Sequence, residues 1–144
     1  MPAPKTLSEK IIAHAAGLTS VSPGDIVTCT VDLAMMHDSS GPRRAGKMLD
    51  ALGAPIWDKD KLVVITDHYT NDPDLGSVEI QAITHKWVKE KALPHFLAEQ
   101  GICHVVLPEK GFLKPGLFCV GADSHSTTGG AFGAFLIGVG ATEM

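Results

Sequence analysis

Cysteine is scarce in this 144-residue chain, and the three that occur, Cys29, Cys103 and Cys119, are far apart and set in apolar sequence. An odd, scattered set argues against a disulfide framework, and no pair has the CxxC spacing of a metal knuckle. All three read as reduced, structural thiols. Basic residues are also in deficit: 12 Lys and Arg stand against 16 Asp and Glu, a formal net charge of −4 at pH 7. The chain therefore lacks the positive field that nucleic acid or an anionic membrane surface attracts, and a small-molecule partner is expected instead. No apolar run approaches the length of a membrane span, and the amino terminus, Met1 to Lys10, has no signal-peptide core. The expected compartment is the cytoplasm. Internal repeats and low-complexity tracts are missing too. What is present, 44% hydrophobic residues over 144 positions, is enough for one domain with a real core.

The polar residues are unevenly placed. Asp67-His68 follows the apolar run Leu62 to Thr66, His104 sits within Gly101-Ile102-Cys103-His104, and Asp123-Ser124-His125 follows Leu117 to Ala122. Polar groups clustered at the ends of apolar runs are the layout of an α/β active site, where side chains gather beyond the carboxyl ends of buried strands.

Local patterns supply the elements. Thr6 and Glu9 have capping-box spacing and Leu7, Ile11, Ile12 and Ala15 form an apolar stripe, so a helix is expected up to Gly17. The β-branched run Ile26 to Val31 reads as a strand, Met36 to Pro42 as a loop, and Arg43 to Leu52 as a helix. A strand from Leu62 to Ile65 precedes a helix that follows Ser77 and runs to Lys91, with Val78, Ile83, Trp87 and Val88 on its buried side. Pro94 breaks that helix before a short strand, His95 to Leu97, and Leu117 to Val120 reads as the last strand. Gly and Ala interleaved with large apolar residues from Gly129 to Gly140 suggest a closely packed helix. The alternation predicts an α/β domain: a parallel or mostly parallel sheet with helices on both faces.

Adjacent Asp and His at a strand end suit acid/base chemistry, because a carboxylate can orient an imidazole and favour its protonated form. A single such pair also fits a solvated strand end. Three similar placements argue for a site. The run Asp123 to Gly130 adds hydroxyls and successive N–H groups suited to a carboxylate or phosphate, and His37-Asp38-Ser39-Ser40 has the same turn-rich character. His14, His85 and His95 are given no role. Asp and His at five positions also suit a directly bound divalent ion, so a metallohydrolase is an alternative, as is a non-enzymatic domain that binds carboxylates or a partner.

Thr66-Asp67-His68, Gly101-Ile102-Cys103-His104 through Gly111, and above all Gly121-Ala122-Asp123-Ser124-His125-Ser126-Thr127-Thr128-Gly129-Gly130-Ala131-Phe132-Gly133-Ala134 resemble the aconitase superfamily, in its isopropylmalate dehydratase and homoaconitase branch. Lys5 to Ile11 and Val31 to Ala34 agree, so the resemblance spans the whole chain. The chain departs from the family pattern at Ser126, commonly Thr, and at Gly129, often His. The resemblance implies a hydro-lyase that moves water across a carbon–carbon double bond in a di- or tricarboxylic hydroxy acid. A [4Fe–4S] cluster acts as its Lewis acid, and leucine or related amino-acid biosynthesis is its setting.

Carried over by motif, Asp67 and His68 assist the departing hydroxyl and His104, Asp123 and His125 surround the cluster-bound water. Ser124 and Ser126 then contact substrate, as do His37, Asp38, Ser39 and Ser40. The family holds its cluster with three downstream cysteines, two in a CxxC, and takes its base from a serine of a swivelling domain, a small subunit in this branch. Residues 1–144 are therefore expected to be the amino-terminal portion of a large subunit, with the cluster cysteines beyond Met144, no cluster of their own and no activity alone. Apolar surface left around Gly129 to Gly140 is expected to promote self-association.

Overall fold

The computed structural model describes residues 4–144. Helix α1 spans Leu7–Ala15, strand β1 Leu33–His37, α2 Lys47–Ala51, β2 Leu62–Thr66, α3 Leu75–Lys91, β3 His95–Ala98, α4 Cys103–Glu109, β4 Phe118–Gly121 and β5 Phe135–Gly138. A π-helical turn, Gly41–Gly46, leads into α2, and 3₁₀ turns occupy Lys59–Lys61 and Ser126–Phe132. The five strands form one parallel sheet in the order β3-β2-β1-β4-β5, the α/β arrangement expected from the alternating pattern.

Side chains of the central strands alternate between two apolar layers, as the period of two requires. Leu33, Met35, Val63 and Ile65 face one way, against Cys103 and Leu107 of α4 and Cys119 and Leu136. Met36, Leu62 and Val64 face the other, against Ala45, Trp87, Val88 and Leu93. Met35, Val63, Val64 and Ile65 are fully buried. Each such side chain stabilises the fold by about 1.5–3 kcal/mol relative to exposure.

The helix ends follow local chemistry. Thr6 and Glu9 close the expected capping box on α1, although that helix buries Ile11 and Ala13 and leaves Leu7 exposed. Asp74 caps α3 through the Gly76 N–H. The buried side of α3 is Ser77, Ile80, Thr84, Trp87 and Val88, while Val78 is exposed.

Three elements differ from expectation. Ile26 to Val31 is not a strand, and Ile26 is fully exposed. The sheet instead starts at Leu33, because Asp32 brackets Phe118: its N–H donates to the Phe118 carbonyl and its carboxylate accepts the Phe118 N–H. Met35 and Met36, without β-branching, then form the central strand, since burial on both faces outweighs intrinsic strand preference. The expected Arg43 to Leu52 helix is split between the π-helical turn and α2.

Gly129 to Gly140 is not a helix either. The chain makes a tight turn, reverses at Gly133 with φ +75° and continues as β5. Its small residues serve close approach of another kind, for a Cβ on Gly129 would lie 2.8 Å from the Leu136 Cβ.

The chain runs outward from β1 to β2 and β3, then returns to the other side of β1 for β4 and β5. This order reverses between β1 and β4, and ligand crevices of open parallel sheets form beyond the carboxyl ends of the strands at such a reversal.

Candidate active site

His37 ends β1 and Asp38 follows it, while Asp123 stands two residues beyond the end of β4. His37 Nε2 and Asp123 Oδ2 approach to 3.6 Å across the reversal point. From β2 come Asp67 and His68, and from the first turn of α4 comes His104. His104 is thus on a helix rather than at a strand end, and α4 begins against the end of β2, where Asp67 accepts the Cys103 N–H.

Contacts between these groups run around the crevice. Asp67 Oδ1 lies 2.6 Å from His68 Nδ1, and Asp67 Oδ2 accepts the Cys103 N–H at 2.6 Å. His104 Nε2 lies 2.8 Å from Asp123 Oδ1, which also accepts the His125 N–H at 2.7 Å. The His37 and His68 rings stack with centroids 4.1 Å apart and planes within 10°. Asp67, His68, His104, Asp123 and His125 are therefore gathered in one place.

His37 is held in a defined tautomer. The Ser39 N–H donates to its Nδ1 at 3.2 Å, so the neutral ring carries its proton on Nε2. The Ser40 hydroxyl donates to the Ala122 carbonyl at 2.6 Å and is left to accept from His37 Nε2 at 3.3 Å. Burial pushes the His37 pKa below its ordinary value, and the neighbouring His68 adds to this against the opposing pull of Asp67, Asp123 and Asp38. The one N–H of the neutral ring is engaged by Ser40, with the Asp123 carboxylate 3.6 Å from the same nitrogen. Asp123 is shifted down: burial pushes its carboxyl up, and the bonds from the His125 N–H and His104 outweigh it.

Two residues expected to meet substrate face inward. Asp38 is fully buried and accepts from the His68 N–H at 3.2 Å, the Tyr69 N–H at 3.1 Å and the Gln81 amide at 2.6 Å. It ties the turn after β2 to β1. Ser126 is also fully buried, its hydroxyl has no partner, and it packs against Gly121, where a Cβ would collide with it. A polar residue in a turn does not disclose which way it points, and here the turn is tight enough to fold Ser126 under itself.

Thr128 spends its hydroxyl on the His125 carbonyl at 2.7 Å. Ser124 and His125 remain exposed at the mouth, with Ser39 and Ser40 half-buried across from them. Gln81 escaped the sequence reading because one polar residue on an amphipathic helix carries no signal. Arg43 also escaped it, and its guanidinium lies over the ring of Tyr69, 5.8 Å from the centroid.

A sequence profile of the aconitase family (aconitate hydratase) matches residues 9–144. This chain belongs to the aconitase family. Relatives of the aconitase-family chain include a protein of Methanothermobacter thermautotrophicus named "Probable methanogen homoaconitase large subunit", 45% identical over 143 residues, covering 96% of this chain and 33% of that protein. The 3-isopropylmalate dehydratase large subunit 1 of Methanopyrus kandleri is 41% identical over 141 residues, covering 97% and 34%. The 3-isopropylmalate dehydratase large subunit of Sulfurisphaera tokodaii is 44% identical over 142 residues, covering 98% and 34%. This aconitase-family chain thus spans about a third of the length of the curated relatives it matches.

The aconitase family implies an iron–sulfur cluster, which the thiols present here do not fit. Cys103 and Cys119 are buried in the apolar layer beneath the crevice. Burial and the Asp67 charge push the Cys103 thiol far up, and burial with Asp32 pushes Cys119 up to about 12. Cys29 is half-buried near the Ile12 carbonyl. Cluster ligands are thiolates, and neutral core thiols are poor ones. His37, Asp38, Asp67 and His68, and separately His104, Asp123 and His125, do each bring potential ligand atoms within 4.8 Å. Family membership does not favour the metallohydrolase alternative that such groupings suggest. Among the described residues, no helix is long and apolar enough to cross a membrane.

Proposed function

We propose that this chain supplies one wall of the active site of a hydro-lyase that adds or removes water across a carbon–carbon double bond of a hydroxy di- or tricarboxylic acid, isopropylmalate being the first candidate. The observation that carries the reading is the gathering of Asp67, His68, His104, Asp123 and His125 at the β1/β4 reversal in an aconitase-family sheet.

Dehydration needs a proton delivered to the departing hydroxyl and a site for the water released. His68 is built for delivery: Asp67 engages its Nδ1, which leaves Nε2 for the substrate. His104 and His125, joined through Asp123, form a polar pocket for the water. His37, tied to Ser39 and Ser40, borders the same space and stacks on His68. Ser124 and Ser39 stand at the mouth, where hydroxyls suit substrate carboxylates, and Ser40 beside them has its hydroxyl proton on the Ala122 carbonyl.

In this reading residues 1–144 are the amino-terminal part of a large-subunit catalytic region. A [4Fe–4S] cluster is held by cysteines outside the chain, and the base comes from a small swivelling-domain subunit. The names of the relatives, which say large subunit, support that partner. The same reading makes the enzyme cytoplasmic, of leucine or related amino-acid biosynthesis, and the isolated chain inactive.

The test is a graft. Residues 9–144 replace the matching third of the Methanopyrus kandleri large subunit, its small subunit is added, and absorbance of the unsaturated acid is followed without oxygen. Turnover is expected, reduced on the order of 10²- to 10⁴-fold by His68→Gln with a much smaller change in KM. A folded graft without turnover, or one indifferent to His68→Gln, would sink the reading.

A further inference from the structure

One carboxylate bonds one histidine and the helix start that carries another. Asp67 Oδ1 contacts His68, and its other oxygen accepts the N–H of Cys103, 36 residues further on. Cys103 is the first residue of α4, and the N-cap position of that helix is held by Ile102, which offers no side-chain cap. The N–H groups of a first helical turn have no partner inside the helix and are normally met by a Ser, Thr, Asp or Asn at the N-cap. In α4 the first of them, the Cys103 N–H, is met from the end of β2 by Asp67. The turn it seals carries His104, whose Nε2 meets Asp123.

We infer that Asp67 is a positioning residue for His104 as well as the orienting partner of His68, so that one side chain holds both sides of the crevice in step. The inference deepens the hydro-lyase reading and rests on it for the place of His104 in the site. Geometry supports the separation of the two duties, because each uses a different oxygen. Ile102 also offers a way to divide them experimentally. Its backbone, φ −63° and ψ 132°, already has N-cap geometry, and the residue is 63% exposed, so Asp there can cap the next N–H groups of α4 locally at little loss of packing.

The experiment follows imidazole ¹⁵N signals and amide exchange of the 144-residue chain, without substrate or turnover, so its failure is distinct from failure of the hydro-lyase reading. In Asp67→Ala the His104 and His68 signals both leave their native positions, and the Val105 and Val106 amides exchange about fivefold faster, the loss expected for one cap. Adding Ile102→Asp returns α4 protection and the His104 signal while His68 stays displaced. A His104 signal unmoved in Asp67→Ala, or displaced still in the double variant, overturns the inference. Should Asp67→Ala not fold alone, the double variant decides: a folded protein with native His104 and displaced His68 supports the coupling, and an unfolded one refutes it.

Discussion

Asp38 and Asp123 follow the two central neighbouring strands, β1 and β4, yet they live in opposite circumstances. Asp38 is sealed, its oxygens taken by two main-chain N–H groups and the Gln81 amide. Asp123 lies nearer the surface, its side chain 14% exposed, bonded to His104 and facing His37. Asp38 is held by two main-chain N–H groups and an amide, with the His68 ring no nearer than 3.8 Å, whereas Asp123 bonds the His104 imidazole directly as well as the His125 N–H. Two carboxylates at equivalent places thus divide the work: one holds the frame and the other faces the crevice.

The largest break in that comparison is Asp38→Ala. It strands three donors that converge on a fully buried carboxylate, and we expect a loss of about 3–5 kcal/mol in urea unfolding. Asp123→Ala, whose donors can turn to water, should lose only about 1–2 kcal/mol. Equal losses at the two positions would erase the distinction between frame and crevice.

Protonation sharpens it next. The folded-state pKa of His37 lies below the ordinary 6.5, so the unfolded chain binds its proton more readily. Stability should therefore fall as pH drops through about 6.5 toward the folded value, and His37→Gln should flatten that part of the profile. Asp123 acts lower on the scale. Its depressed pKa contributes stability that is complete above the ordinary carboxylate value and is lost as pH falls through the folded one. Denaturant midpoints from pH 7 to pH 3 measure both, and an unchanged slope in His37→Gln would contradict the assignment.

Much of this frame was legible in the residues. β-branched runs and breakers located β2, β3 and β4, and the capping box located α1, because those signals act within a few residues. The central strand β1 escaped, since Met35 and Met36 become strand only through burial on both faces, a tertiary effect. Ile26 to Val31 had the local signal and no partner strand. In the site, the ends of β2 and β4 announced Asp67-His68 and Asp123-His125. The inward turn of Asp38 and Ser126 had no counterpart in sequence, because side-chain direction depends on the packing of segments far apart in the chain.

Ser126 gives the smallest expected effect. Its buried hydroxyl has no partner, so Ser126→Ala should change stability by no more than about 0.5 kcal/mol and leave ligand binding intact. A large loss of binding would return Ser126 to the crevice.

The central claim is that ligand meets the Asp123 side while the Asp38 side holds still. Titration of the ¹⁵N-labelled 144-residue chain with isopropylmalate tests it directly. Shifts are expected at His37, His68, His104, Ser124 and His125, with the Gln81 side-chain amide unmoved. Shifts centred on Gln81 and Asp38, or none in the crevice at millimolar ligand, would contradict it.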